Sequence, residues 1–285
     1  SLREEKGDFF RSVRDFPCPA AAAFPTFGGN FFRGVPDFPY GLHKKALNPP
    51  FGNAIIKIKF FCRGCRRVKL PEENILIVTG HYGPGKTNFT LNLAKYLLAA
   101  GEAPVLCDLD IVNPYFRTGD YAGALPCELI VPTFLGTTLD TPALSAKIDA
   151  AILSGKRVIL DAGGDDAGAA ALGRYAAKLQ KAGYAMLYVV NKSRNLTGTP
   201  EDAAQILGEI EAASRLKGSF LVNNTNFGRE TSAEDIEQSV DYAAQVSVLT
   251  GLPLLATCVL KGCESAKVPE PFPVELLVKF PWENA

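Results

Sequence analysis

The sequence predicts an α/β fold with a mostly parallel sheet covered by helices on both faces. Two observations carry this. Short apolar runs of strand length recur from residue 74 onward, with helical stretches between several of them. Runs apolar throughout, rather than alternating, suit strands buried on both sides. In addition, the residues with reactive side chains stand directly after the runs, where ligands bind in such sheets.

The predicted strands are Ile75–Thr79, Pro104–Cys107, Leu129–Phe134, Val158–Leu160, Ala185–Val190, Phe220–Val222 and Leu254–Thr257. The first is followed by a helix whose Phe89, Leu93 and Leu97, with Ala94 and Leu98, form one apolar stripe. Further helices are predicted over Ala143–Leu153, Ala167–Lys181, Glu201–Ser214 and Ala233–Thr250.

Between the first strand and its helix lies GHYGPGKT, residues 80 to 87, which fits G-x-x-x-x-G-K-[ST]. The strand-loop-helix setting is the one this motif needs. Gly80, His81, Tyr82, Gly83, Pro84, Gly85, Lys86, Thr87 and Asn88 are therefore the expected phosphate cradle. Glycines let the chain wrap a phosphate, and backbone N–H groups at a helix start favour the anion. Lys86 is the expected catalytic cation on the β- and γ-phosphates, and Thr87 the expected Mg²⁺ ligand. The fold class thus sharpens to a P-loop nucleoside triphosphatase.

The next strands end in carboxylates. Asp108 and Asp110 follow the second, in CDLD, and Asp161 follows the fourth, in ILDAGGDD. Asp108 and Asp161 are candidates for the Mg²⁺ shell. Gly164 completes D-x-x-G, so its N–H can sense a γ-phosphate. A lone strand-end Asp is more often a turn former, but three in one phosphate-loop chain point to chemistry.

In this order, GHYGPGKTN, CDLDIVNPYF, ILDAGGDD and LVNNTN resemble the MinD/ParA-type ATPases, over about residues 74 to 260. The resemblance implies ATP and Mg²⁺ as ligands, ATP hydrolysis, a homodimer sandwiching nucleotide, and a protein partner. It implies that Asp110 orients the attacking water and that Asn223 or Asn224 reads the base, with Asn224 favoured. One position departs: where that group has a lysine reaching its partner subunit, this chain has His81, so the dimer-coupled step is in doubt. NKSR, residues 191 to 194, resembles the N-K-x-D guanine reader, but Arg194 cannot accept guanine N–H groups; this disfavours GTP.

The expected function is a nucleotide switch acting on a macromolecular partner. The alternatives are an ATP-dependent synthetase activating a small carboxylate and a scaffold that binds without turnover. Arg117, in NPYFRTGDYAG, is placed where a switch feels a phosphate or partner, or is simply a solvated charge.

Composition bounds the rest. Formal net charge is zero over 285 residues, which weighs against nucleic acid as the partner. No run of 18 apolar residues predicts a membrane span, and seven scattered cysteines predict reduced thiols in the cytoplasm. CRGC, at 62 to 65, is a lone pair short of a four-ligand zinc site.

Two regions are expected, 1 to 70 and 71 to 285. The first carries 13 Lys/Arg against 5 Asp/Glu and 11 of the 18 Phe, without sustained periodicity, and is expected to be irregular. Two readings of it stand. It is a basic extension, or it is translated upstream sequence, Arg66-Arg67 marking a ribosome-binding purine run before a start at Val68 or Leu70. Codons other than AGG at 66 and 67 remove the second.

Overall fold

The computed structural model describes residues 68–110, 125–131 and 146–278. The expectations for residues 1 to 67, including CRGC, for Arg117 and for residues 132 to 145 lie outside them.

Eight strands form one sheet in the order β3-β2-β4-β1-β5-β6-β7-β8, and every neighbouring pair is parallel. They are β1 (Ile75–Thr79), β2 (Val105–Asp108), β3 (Glu128–Ile130), β4 (Val158–Asp161), β5 (Tyr184–Val190), β6 (Phe220–Asn223), β7 (Leu254–Leu260) and β8 (Pro271–Val274). The helices are α1 (Lys86–Ala99), α2 (Ala146–Ile152), α3 (Asp166–Gly173), α4 (Ala176–Ala182), α5 (Pro200–Ser214), α6 (Ala233–Gln238) and α7 (Val240–Thr250). This is the P-loop nucleoside triphosphatase architecture.

One face of the sheet packs Ile75, Ile77, Val105, Cys107, Val158, Leu160 and Met186 against Ile148 of α2, Leu172 of α3 and Leu179 of α4. The same face continues at Tyr188, Val190 and Leu221, under Ile206 and Ile210 of α5 and Tyr242 and Val246 of α7. Residues one step out of phase point the other way. There Leu76 and Val78 are fully buried, and α1 turns its buried stripe of Phe89, Leu93 and Leu97 toward the sheet. Phe272 of β8 completes that layer, its ring 5.6 Å from Phe89 and 5.3 Å from Tyr96.

Two of the expected helices are each divided. Ala167–Lys181 becomes α3 and α4, and Ala233–Thr250 becomes α6 and α7, with Ser239 between the last two. Ser239 is fully buried and gives its hydroxyl to the Ile236 carbonyl, so the chain turns where the apolar period continues. β8 is not among the expected strands; PFPV carries two prolines. Proline cannot donate to a ladder, so it is confined to sheet edges, and β8 is an edge.

β8 and the residues after it are fastened to α1. Asn88 gives its amide to the Glu275 carbonyl (3.0 Å) and accepts from the N–H groups of Leu277 (2.8 Å) and Val278 (3.2 Å). One turn on, Asn92 exchanges hydrogen bonds with both backbone groups of Glu275. A further turn on, Lys95 pairs with the Glu275 carboxylate at 2.6 Å. Residues i, i+4 and i+7 share a helix face, so one polar stripe grips one extended segment.

Candidate functional site

β1 is central, and the neighbours of its carboxyl end are β4 and β5. The phosphate loop therefore opens over the tips of three adjacent strands. Its approach is so close that side chains have no room. A methyl group on Gly80, whose φ is +152°, would lie 2.3 Å from the Val189 carbonyl oxygen. One on Gly164 would lie 2.0 Å from the Gly80 carbonyl oxygen. The D-x-x-G glycine of β4 thus rests directly on the first glycine of the loop.

α1 begins after Gly85, which has φ +84°, with no side-chain cap and no acidic residue in its first turn. By contrast α3, α5 and α6 are capped by Asp165, Thr199 and Ser232. A helix start with no side-chain cap and no acidic residue is a setting that suits an anion. Lys86 is buried and gives its ammonium to the His81 carbonyl (3.0 Å), folded back over the loop. His81 is half-buried, and its sheltered Nδ1 accepts no hydrogen bond from the described residues.

The carboxylates converge on the same place. Asp108 and Asp161 are register partners on β2 and β4, both fully buried, and Asp161 also pairs with Val78 of β1. Thr87 gives its hydroxyl to Asp161 Oδ2 at 3.0 Å. Asp110 is 5% exposed, its N–H donates to Asp108 Oδ1, and its carboxylate lies beside Gly163. A threonine hydroxyl with a buried carboxylate behind it fits Mg²⁺, which takes few protein ligands and fills its octahedron with water and phosphate oxygens. Accordingly, no cage of three or more His, Cys, Asp or Glu is present among the described residues. Cys107, next to Asp108, is pushed up to about 12 by burial and by the charges of Glu128 and Asp108, so it is a packed thiol.

The expected base readers divide. The Asn223 amide is fully buried and consumed locally: it donates to Ser239 Oγ and accepts from the Thr225 N–H and hydroxyl. Asn224 instead donates to the Pro84 carbonyl at 2.6 Å, tying the tip of β6 to the phosphate loop. Asn224, Thr225 and Asn226 line a narrow cleft beside Asn88, floored by Cys258 and Leu260 of β7 and bordered by Val274 and Leu276. The Asn88 side chain, expected in the cradle, is spent on the C-terminal segment.

The stretch 191 to 194 lies elsewhere than its guanine-reader reading assumed. It follows β5, the immediate neighbour of β1, and not β6 at the cleft. A methyl group on Gly83 would sit 3.8 Å from both Cδ and Nε of Arg194. Arg194 is thus at the phosphate loop, and the argument it supplied against GTP does not hold. Sequence spacing gave no sign of this, because strand order is not written in spacing.

No family model matches the chain, and no curated protein matches it. Among solved structures it is similar to FtsY from Mycoplasma mycoides at 15% identity, covering 67% of this chain and 61% of that one, with a TM-score of 0.47. It is similar to the signal recognition particle 54 kDa protein from Aeropyrum pernix K1 in complex with GDP, also at 15% identity, over 67% and 42%, with a TM-score of 0.45. FlhF complexed with GMPPNP and Mg²⁺ matches at 14% identity over 76% and 74%, with a TM-score of 0.43. The chain therefore spans less than two thirds of the length of the first two.

These findings correct the sequence reading. The likenesses named are to SRP-type proteins and not to the MinD/ParA type, and the nucleotides named with them are guanine nucleotides. The ATP, ATPase and ATP-sandwich homodimer expectations rested on the MinD/ParA resemblance and are withdrawn with it. The expectation that nucleic acid is an unlikely partner, drawn from net charge, is set aside as well, one of the similar structures being named a signal recognition particle protein. At this distance the likenesses do not carry the assignment of fold, which rests on strand order and loop placement.

Proposed function

We propose that the chain is a Mg²⁺-dependent nucleoside triphosphatase that works as a switch on a macromolecular partner, with GTP as the nucleotide. One observation supports the site above all. The uncapped start of α1, Lys86, Thr87 and the register-paired Asp108 and Asp161 meet at the tips of β1, β2 and β4. The guanine base is taken from the GDP and GMPPNP named with two of the similar structures. It is consistent with the position of Arg194 away from the cleft.

The loop amides and Lys86 would bind the phosphates; Thr87, with Asp161 behind it, would hold a Mg²⁺ ion, whose chemistry is to neutralise phosphate charge. Asp110, whose carboxylate lies beside Gly163, would orient the attacking water. Loss of the terminal phosphate releases the Gly164 segment, which now touches Gly80. The buried thiols Cys107, Cys258 and Cys263 are free, in keeping with a cytoplasmic setting.

Phosphate release from Mg²⁺–GTP by the full chain tests this, with Lys86→Ala and Asp110→Ala beside it. Turnover is expected in the unmodified chain, and at least about a hundredfold less in each variant. Equal rates in all three remove the assignment. Capture of partners on GMPPNP-loaded against GDP-loaded protein then tests the switch; identical captures overturn it.

A further inference from the structure

We propose that Arg194 contacts the terminal phosphates of the bound nucleotide and stabilises the charge that builds up during transfer. The inference rests on the phosphate-site reading above and adds a residue to it.

Three observations carry it. The first is place: Arg194 Cδ and Nε stand beside Gly83, in the middle of the phosphate loop, on the β5 side. The second is availability: its side chain is exposed and enters none of the hydrogen bonds or ion pairs of the described residues, so nothing holds it away from a phosphate. The third is that the turn presenting it is built. Asn191 is fully buried; its carboxamide accepts from the Ser193 N–H (2.8 Å) and its carbonyl accepts from the Arg194 N–H and the Thr197 hydroxyl. The Lys192 N–H donates to Thr225 Oγ1, and its ammonium to the Gln238 carbonyl. Lys192 is thus turned toward β6 and α6, while Arg194 is left over the loop.

The chemistry needs such a group. Water oxygen forms a bond to the γ-phosphorus, and the bond from that phosphorus to the bridging oxygen breaks. The electron pair stays on the diphosphate, and the water proton passes to the released phosphate. Charge grows on the bridging and γ-oxygens, where a planar guanidinium can pair with two oxygens at once. His81, at the loop's second position, supplies no permanent charge. Arginine provided within the same chain is a known solution to this need.

The test compares the full chain with Arg194→Ala and Arg194→Lys, using Mg²⁺ with GTP, a non-hydrolysable GTP analogue and GDP. Arg194→Ala is expected to lower kcat by roughly a hundredfold or more while KM moves by less than about fivefold. It is also expected to cut the preference for the triphosphate analogue over GDP by about tenfold. Arg194→Lys should recover only part of either, for want of the planar fork. Turnover within about twofold of the unmodified chain, or equal weakening of analogue and GDP, overturns the proposal. If the unmodified chain binds neither nucleotide, the phosphate-site reading itself has failed, and this inference falls with it.

Discussion

The two ends of the candidate site are built on opposite principles. At the phosphate end, β1, β4 and β5 meet backbone to backbone, and Gly80 and Gly164 fit because they have no side chain. At the other end, α1 and the segment after β8 are joined by side chains: Asn88, Asn92 and Lys95 reach across to residues 275 to 278. The first arrangement tolerates no addition. The second loses strength one hydrogen bond at a time. The difference shows which end can hold an unvarying ligand shape and which can adjust.

The contrast is broken most severely at Gly80. Gly80→Ala sets a methyl group against the Val189 carbonyl and strains a positive φ, and about 3 kcal/mol of stability should be lost by denaturant unfolding. A loss below about 1 kcal/mol would mean that the strand tips separate easily. Asn88→Ala removes three hydrogen bonds to the C-terminal segment and should cost about 2 kcal/mol. Amide exchange should show residues 275 to 278 opening while β1 and β4 stay protected; uniform loosening would deny that the two ends are independent. Tyr188→Phe removes a buried hydroxyl bonded to the Ala203 carbonyl (2.8 Å), far from both ends, and about 1 kcal/mol is expected with nucleotide affinity unchanged.

The smallest effect is on acidity. Hydrogen bonds from the Ser232 hydroxyl and N–H hold the Asp235 carboxyl below its ordinary value of 3.8. A depressed carboxyl stabilises the fold above its unfolded value, and that help is lost as pH falls through the folded value. Ser232→Ala should therefore lower stability at neutral pH, with the difference between the two proteins shrinking as pH falls below about 4, so that the acid limb is flatter in the variant. An identical acid limb in both proteins would show that the cap at α6 contributes nothing.

How much of this the chain announced differs by feature. Ile75–Thr79 and its loop were legible because apolar strand, glycines and Lys-Thr act within a dozen residues. The strand-end positions of Asp108 and Asp161 were legible too, but that the two are cross-strand neighbours was not. β8 was hidden by its prolines, and of the stripe Asn88, Asn92 and Lys95 only Asn88 was singled out, as part of the phosphate cradle. Its meaning depends on a segment about 180 residues away. Asn223 and Asn224 are adjacent and chemically alike, yet one is enclosed by Ser239 and the other bonded to the phosphate loop. The alternation of a strand end sends them to opposite sides.

By itself, the sequence determined the local devices: which runs become strands, where a loop can wrap an anion, which carboxylates sit at strand tips. These follow from propensity, period and backbone freedom, which act over short range. Tertiary structure alone decided the company each device keeps. The sheet order put β5 beside β1, and so set Arg194 beside the glycine-rich loop at Gly83. That order is set by burying both faces of one sheet together, a requirement of the whole chain that no short stretch contains.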